Sequence, residues 1–176
     1  MEAYIKIRQA QLSDWEEVVH IENLNFPKEE AASPGALKER IQLIADTFLI
    51  AELNGQIVGY VVGPVLVSRH LTDVLFTKVT ANPPTGGFIV IQSLSVHPDF
   101  QRQGMGTLLL AALKETAVQQ NRQGISLICH DEFISYYEMN GFVDEGISQS
   151  IHSGAPWFDM AWDNPDFKEI QWLSDK

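Results

Sequence analysis

Leu94-Ser-Val-His-Pro-Asp-Phe-Gln-Arg-Gln-Gly-Met-Gly-Thr-Leu-Leu-Leu110 runs from a strand, through a polar turn, into a helix. The apolar run Phe88, Ile89, Val90 and Ile91 leads into it and reads as a buried strand. Pro98 ends that strand, because proline has no N–H to give to a central ladder. Beyond Gly106, the residues Leu109, Ala112, Leu113, Thr116 and Ala117 fall at helical spacing, all but Thr116 apolar. Gly104 and Gly106 therefore sit where a strand hands over to a helix N-terminus. Unpaired N–H groups and the helix dipole favour an anion there, and glycines let it approach the backbone closely. The turn reads as a pyrophosphate cradle.

Elimination narrows the kind of cradle. A Walker loop needs Gly-Lys-Ser/Thr, and Gly106 is followed by Thr-Leu-Leu. The dinucleotide fingerprint needs a third glycine three positions after Gly106, where Leu109 stands. What remains is Gln101-x-x-Gly104-x-Gly106 directly after Val-His-Pro. This pattern resembles the acetyl-CoA signature of the GNAT-type N-acetyltransferases. A glycine-rich turn with no ligand is the plainer reading, and the rest of the chain has to decide between them.

Working outward, 176 residues suit one domain with a continuous core, expected over 1–162 with a polar tail at 163–176. No apolar run approaches the roughly 20 residues that span a bilayer, so no membrane role is expected. The N-terminus lacks the apolar segment of a secretory signal. Cys129 is the single cysteine, which excludes an internal disulfide and points to a reducing cytoplasm. A formal charge of −11 argues against a nucleic-acid partner and is compatible with a cationic substrate.

Tyr4–Arg8 alternates as a first strand. Ser13 and Glu16 have capping-box spacing for a helix reaching about Asn25, with Trp15, Val18, Val19 and Leu24 inward. Ser33-Pro34 opens a second helix that buries Leu37, Ile41 and Ile44. Asn54-Gly55 between two apolar runs predicts a type I′ hairpin. The connection from Val65 to Gly87 is long enough to be a lid or binding segment, or else a tolerated insertion. The central helix is expected to end with Gly124 as its cap. A strand Ile125–Cys129 follows, parallel to the central one. A short helix Phe133–Asn140 stops at Gly141, and strands over 142–152 and 156–162 close the chain. The predicted architecture is α/β (α+β): one mixed, mostly antiparallel sheet with helices on both faces.

That element order resembles the N-acetyltransferase fold, so motif and topology agree. The likeness covers about Ile5 to Trp162. It is most similar to the arylalkylamine (serotonin-type) N-acetyltransferases through Ser93-Leu-Ser-Val-His-Pro with its turn, Tyr136-Tyr-Glu-Met-Asn-Gly-Phe142, and His152-Ser-Gly-Ala-Pro-Trp-Phe-Asp-Met160. The resemblance implies acetyl-CoA as cosubstrate, with Leu94, Ser95 and Val96 holding the pantetheine arm through their backbone. It implies that Arg102, Gln103, Gly104, Met105, Gly106 and Thr107 hold the pyrophosphate, and that Tyr137 lies beside the thioester sulfur. A tyrosine, with a reference pKa of about 10, is a reasonable proton donor to the departing thiolate. Tyr136 and Tyr137 are neighbours in a helix, so one should face the core and the other the cofactor.

One departure matters. The strand histidines of the arylalkylamine enzymes correspond here to Val90 and Gln92, and neither is a base. Glu22, Asp131, Glu132 and His130 are the substitutes at hand, and the sequence selects none of them. His20, His70, His97 and His152 show no metal-ligand spacing, and no metal is expected; His97 suits turn or capping duty. Cys129 reads as core. The sequence thus points to an acetyl-CoA-dependent N-acetyltransferase acting by direct attack of a small primary amine, arylalkylamine- or polyamine-like. Phe26, Trp15 and the 65–87 connection are candidate pocket walls. A protein or peptide N-acetyltransferase and a non-catalytic acyl-CoA-binding module stay open as alternatives. A homodimer is compatible with the sequence and is not specified by it.

Overall fold

A computed structural model describes residues 4–70, 79–149 and 156–169. The first strand, β1 (Ile5–Gln9), leads through a turn of 3-10 helix at Leu12–Asp14 into α1 (Trp15–Asn25). The expected Ser13–Glu16 box does not form, because Ser13 lies inside that turn. Asp14 caps instead: its carboxylate accepts from the Gln11 N–H at 2.7 Å and is held by both Arg8 terminal nitrogens at 2.8 Å. Val18, Ile21 and Glu22 of α1 are buried, whereas Leu24, expected inward, is exposed. In α2 (Pro34–Leu43) the Ser33 hydroxyl accepts from Ala36 N–H at 3.1 Å, and Leu37, Arg40 and Ile41 are buried.

The hairpin β2 (Phe48–Leu53) and β3 (Gln56–Val62) turns on Asn54 and Gly55, both at positive φ, as a type I′ turn requires. Then follow β4 (Val65–Leu66), β5 (Phe88–Val90), β6 (Ser93–Val96), α3 (Met105–Gln119) and β7 (Gly124–Cys129). Asn121, at φ 53°, makes the left-handed turn after α3 that was expected of Gly124. Gly124 instead starts β7, where a Cβ would collide with the Trp162 carbonyl. The chain closes with α4 (Ile134–Met139), β8 (Val143–Ile147) and β9 (Phe158–Asp163).

The fold class is the expected one: mixed α/β, mostly antiparallel, with helices on both faces. The expected single sheet, however, is divided. One half has the order β1-β2-β3-β6 and the other β4-β5-β7-β9-β8, with β5 and β7 the parallel pair. The predicted central strand is cut at Ile91–Gln92. Ile91 donates its N–H to Ser126 of β7 at 2.8 Å, while Gln92 donates to Val62 of β3 at 2.9 Å. Strand alternation sends Leu49, Ala51 and Val61 toward α3, and Phe48, Ile50 and Tyr60 toward α1 and α2. Two cores result, one on each side of β2 and β3.

The described part of the 65–87 connection is fastened down. The Asn82 side chain bonds Val65 N–H, Asp46 and Thr47, all at 2.8 Å, and Val79 is buried against the α1–α2 core. Arg69 pairs with Glu145 of β8 and Asp163 of β9. The described part of the polar tail from Asp163 is also attached. Asp163 ends β9, Asn164 bonds the Arg122 carbonyl and Gln123 carbonyl at 2.9 Å, and Asn121 bonds Lys168. The rest of the tail, residues 170–176, and the 150–155 part of the closing hairpin lie outside the described residues.

The Arg69 clamp yields a pH test. Hydrogen bonds from Arg69 and then His70 outweigh desolvation and hold the Glu145 carboxyl down to about 2, against an ordinary 4.5. A depressed folded pKa stabilises fully above the unfolded value and is lost as pH falls through the folded one. Glu145→Gln should therefore destabilise by about 1 kcal/mol at neutral pH. The gap should close between about pH 5 and 2 when denaturant melts of variant and parent are compared across that range. A gap that stays constant to pH 3 contradicts the clamp.

Candidate active site

Dividing the sheet leaves one edge of β6 without a strand partner among the described residues. His97 N–H reaches Val58 of β3 at 2.7 Å, and backbone direction alternates along a strand. Ser93 and Ser95 therefore also face β3, and the Leu94 N–H and C=O and the Val96 N–H turn to the open edge. Of the three residues expected to bind through backbone, Ser95 does not turn its backbone that way. At the end of β6 the chain reaches α3, whose first intrahelical bond is Leu108 N–H to Gly104 carbonyl at 3.0 Å. The N–H groups of Met105, Gly106 and Thr107 have no helical acceptor and open into the same space.

This cleft has a volume of about 580 Å³ and brings together Leu94, Ser95, Val96, Arg102, Gly104, Met105, Gly106, Thr107, Tyr136 and Tyr137. Gln103, expected among them, does not line it, and the Met105 side chain points into the core at 4% exposure. The two glycines serve different ends. Gly104 stands at φ 85° with open space where a side chain would be, so its role is conformational. At Gly106 a Cβ would run into the Tyr136 hydroxyl, so part of that glycine's role is packing. Gln101 does not face the phosphate position: its amide donates to Val96 carbonyl at 2.9 Å and to Asn25 Oδ1 at 3.1 Å. Asn25 completes the bracket with bonds to Ser95 Oγ at 2.6 Å and Val96 carbonyl at 2.8 Å. Sequence reading missed Asn25, which is visible there only as the last residue of an amphipathic helix.

Both tyrosines of α4 line the cleft, contrary to the expectation that one would turn away. Their rings meet edge to face at 5.2 Å. The Tyr136 hydroxyl bonds Thr107, whereas that of Tyr137 has no hydrogen-bond partner among the described residues. Burial, then the neighbouring Cys129 and Tyr136, push the Tyr137 phenol well above its usual range. It is a protonated donor at neutral pH. Burial also pushes the Cys129 thiol up to about 11, leaving a poor nucleophile.

A second cavity, of about 390 Å³, lies on the α1–α2 side and shares Phe26 with the first. Glu22 lies in its wall at 3% exposure. One Glu22 oxygen accepts from the Tyr60 hydroxyl in a short bond and from Ser93 Oγ at 3.0 Å; the other accepts from Ala32 N–H at 2.8 Å. Burial, reinforced by Glu22, raises the Tyr60 pKa far above its usual range, so the phenol remains a donor. Arg40, at 9% exposure, lines the same cavity, as do Gln92 and Trp157, with the exposed Glu29 and Glu30 at its rim.

Among the other candidates, Asp131 and Glu132 are exposed, and His130 stacks on Trp157 at 3.9 Å. Val90 is fully buried. Trp15 and the described part of the 65–87 connection line neither cavity; Trp15 Nε1 is tied to the Pro34 carbonyl at 2.7 Å. His97 Nδ1 accepts from Asp99 N–H at 3.1 Å, the capping duty expected of it. Arg40 and Tyr60 were not singled out from sequence. Arg40 stands three residues after Leu37 and one before Ile41, on the apolar face of its helix, and that position was a usable signal.

The model of the Acetyltransferase (GNAT) family matches residues 15–142. Serotonin N-acetyltransferase of Mesocricetus auratus is 29% identical over 90 residues, covering 51% of this chain and 42% of that protein. Glucosamine 6-phosphate N-acetyltransferase of Schizosaccharomyces pombe is 35% identical over 63 residues, covering 36% and 57%. The chain spans about half the length of the curated relatives it matches. Among solved structures, the GphF GNAT-like decarboxylase in complex with isobutyryl-CoA superposes with a TM-score of 0.77 at 16% identity, over 90% of this chain and 99% of that one. That likeness is one of fold. Among the described residues no helix is long and apolar enough to cross a membrane, and no His, Cys, Asp and Glu cluster could hold a metal ion.

The buried Glu22 cluster gives the prediction for this site. Tyr60→Phe removes one donor from a buried carboxylate, and should cost about 1–3 kcal/mol in urea unfolding. Ser93→Ala should cost less, since Tyr60 still serves the same oxygen. Equal, negligible losses would show that the carboxylate does not depend on these donors.

Proposed function

The chain belongs to the Acetyltransferase (GNAT) family, and from that membership we propose that it moves an acetyl group from acetyl-CoA to the primary amine of a small molecule. The observation that carries this reading is the meeting of two cavities at Phe26, one edged by backbone donors and the other holding a buried carboxylate. Pantetheine lies along the open edge of β6, bonded to Leu94 and Val96. The pyrophosphate rests on the N–H groups at the start of α3, with Arg102 beside them. The thioester then sits near the fork at Ile91–Ser93, with the second cavity behind it.

The amine enters from the Glu22 side. An alkylammonium must lose a proton before it can attack, and Glu22 is the buried carboxylate in that wall. The free nitrogen lone pair forms the new C–N bond. The Leu94 N–H, fixed in the strand, stabilises the charge that builds on the carbonyl oxygen. The C–S bond breaks, the Tyr137 hydroxyl gives its proton to the departing sulfur, and the second proton shed by the acylated nitrogen restores the Tyr137 phenol, while Glu22 releases the first to solvent. Glu22 thus takes the place that strand histidines hold in the arylalkylamine enzymes, where this chain has Val90 and Gln92. The serotonin-type likeness supports a small acceptor. A reducing cytoplasm suits the buried, protonated Cys129.

Release of free CoA thiol across an amine panel tests the reading. Tyr137→Phe should lower kcat by about 100-fold while acetyl-CoA still raises the melting temperature. Glu22→Gln should lower turnover by a similar factor of about 100, and Asp131→Asn should not. Unchanged turnover in Tyr137→Phe removes the proton-donor assignment. Retained acetyl-CoA binding with no turnover on small amines or peptides favours a binding module.

A further inference from the structure

We infer that the acceptor carries a carboxylate as well as an amine, and that Arg40 is the residue that binds it. This rests on the acyl-transfer reading above and narrows its substrate. Arg40 is buried on the inward face of α2, between Leu37 and Ile41, and lines the Glu22 cavity. Its side chain makes no hydrogen bond and no ion pair among the described residues. The other arginines drawn into the fold differ. Arg8 is paired with Asp14 and Glu52, and Arg69 with Glu145 and Asp163. Arg122, at 1% exposure, bonds Gln120 and the Gly86 carbonyl at 3.0 Å. Arg40 alone of these combines burial, a cavity in front of it and no partner.

A desolvated guanidinium is costly unless something completes it. Glu22 is close enough to attract it electrostatically, yet no hydrogen bond or ion pair joins the two, and the carboxylate is held instead by Tyr60, Ser93 and Ala32. The missing partner must come from the cavity. Guanidinium is a planar fork with parallel N–H groups, which a carboxylate matches with two bonds. One positive charge also suits one negative charge. With Glu22 in the wall and Glu29 and Glu30 at the rim, a doubly charged phosphate meets a less favourable field.

The same arrangement orients the molecule. Glu22 is bonded to Ser93 at the start of β6, where the two cavities meet, and draws the ammonium group toward the thioester. Arg40 belongs to α2 and draws the carboxylate away from it. The walls around the first turn of α2 are small, Ala32, Ser33 and Ala36, and leave room for a compact body between the charged ends. A structural counterweight to Glu22 is the competing role for Arg40. That role would not distinguish acceptors.

The test compares amines that differ in a carboxylate alone: tyrosine with tyramine, lysine with cadaverine, and 5-aminopentanoate with butylamine, all at saturating acetyl-CoA. In at least one pair the carboxylate member should show kcat/KM about 10-fold or more above its partner. Arg40→Met should raise KM for that member by about 10- to 100-fold, leave the partner's KM unchanged or lower, and keep the acetyl-CoA melting shift. If Arg40→Met does not fold, Arg40→Lys, which keeps the charge without the fork, should lose part of the same preference. Preference for the carboxylate-free member in every pair overturns the inference. Equal loss for both members assigns Arg40 a structural role and overturns it too. Faster turnover of O-phosphoethanolamine than of any carboxylate amine overturns the carboxylate assignment. Should no amine be acetylated while acetyl-CoA still binds, the acyl-transfer reading fails. The Arg40 site is then judged by whether the carboxylate members alone raise the melting temperature in the parent and not in Arg40→Met.

Discussion

At Ile91 and Gln92 two successive N–H groups point to different strands, one to Ser126 and the next to Val62. A strand buried between two neighbours normally gives its groups to both sides along its whole length. Here the right-hand neighbour, β7, is released after Ile91, and the left-hand one, β3, is held through His97. The consequence is an edge of β6 with no strand partner among the described residues, on which the Val96 carbonyl is taken up by Asn25 and Gln101. Such an edge is a liability unless something pairs with it. A linear molecule with amide groups is suited to do so, and the orphan N–H groups of α3 stand at the end of the same edge. The cleft is thus a property of main-chain bonding, with side chains as its trim.

The charged groups follow from the same geometry. Tyr60 on β3 and Ser93 on β6 project to the α1–α2 side and both donate to Glu22, so the carboxylate is fixed relative to the fork. Asn25, three residues on along α1, bonds Ser95 and Val96 from the same side. Helix α1 is therefore fastened to β6 by polar bonds at both levels, in addition to the Val18 and Ile21 packing. A buried polar cluster of this kind fixes geometry more than it adds stability. That fixed geometry is what a proton transfer between a bound amine and a carboxylate needs.

Much of this was legible in the sequence because it is written in local patterns. Ser33-Pro34, Asn54-Gly55 and Gly141 mark their turns by conformational preference, and the Gly104–Gly106 turn marks the start of α3. The parallel β5–β7 pair follows from chain crossover rules. The sheet division was not legible, because the apolar run Phe88–Ile91 leads into Leu94–Val96 with no glycine or proline between them, and the exchange of partners at Ile91–Gln92 carries no signal of its own. The role of Gln101 was hidden for a similar reason, since its partners Asn25 and Val96 are 76 and 5 residues away. Glu22 and Arg40 were partly legible: both occupy inward helical positions, where a charged residue is informative. Which of several carboxylates lies in the wall of a cavity is a tertiary fact, and Asp131, Glu132 and Glu22 look alike until the chain is folded.

Amide hydrogen exchange with and without acetyl-CoA reports whether the cosubstrate completes the open edge of β6. Slowed exchange is expected at Leu94 and Val96 and through the first turn of α3, with β5 and the adjoining residues of β7 unchanged. Unaltered exchange at Leu94 and Val96 under saturating acetyl-CoA, with any protection confined elsewhere, would contradict it.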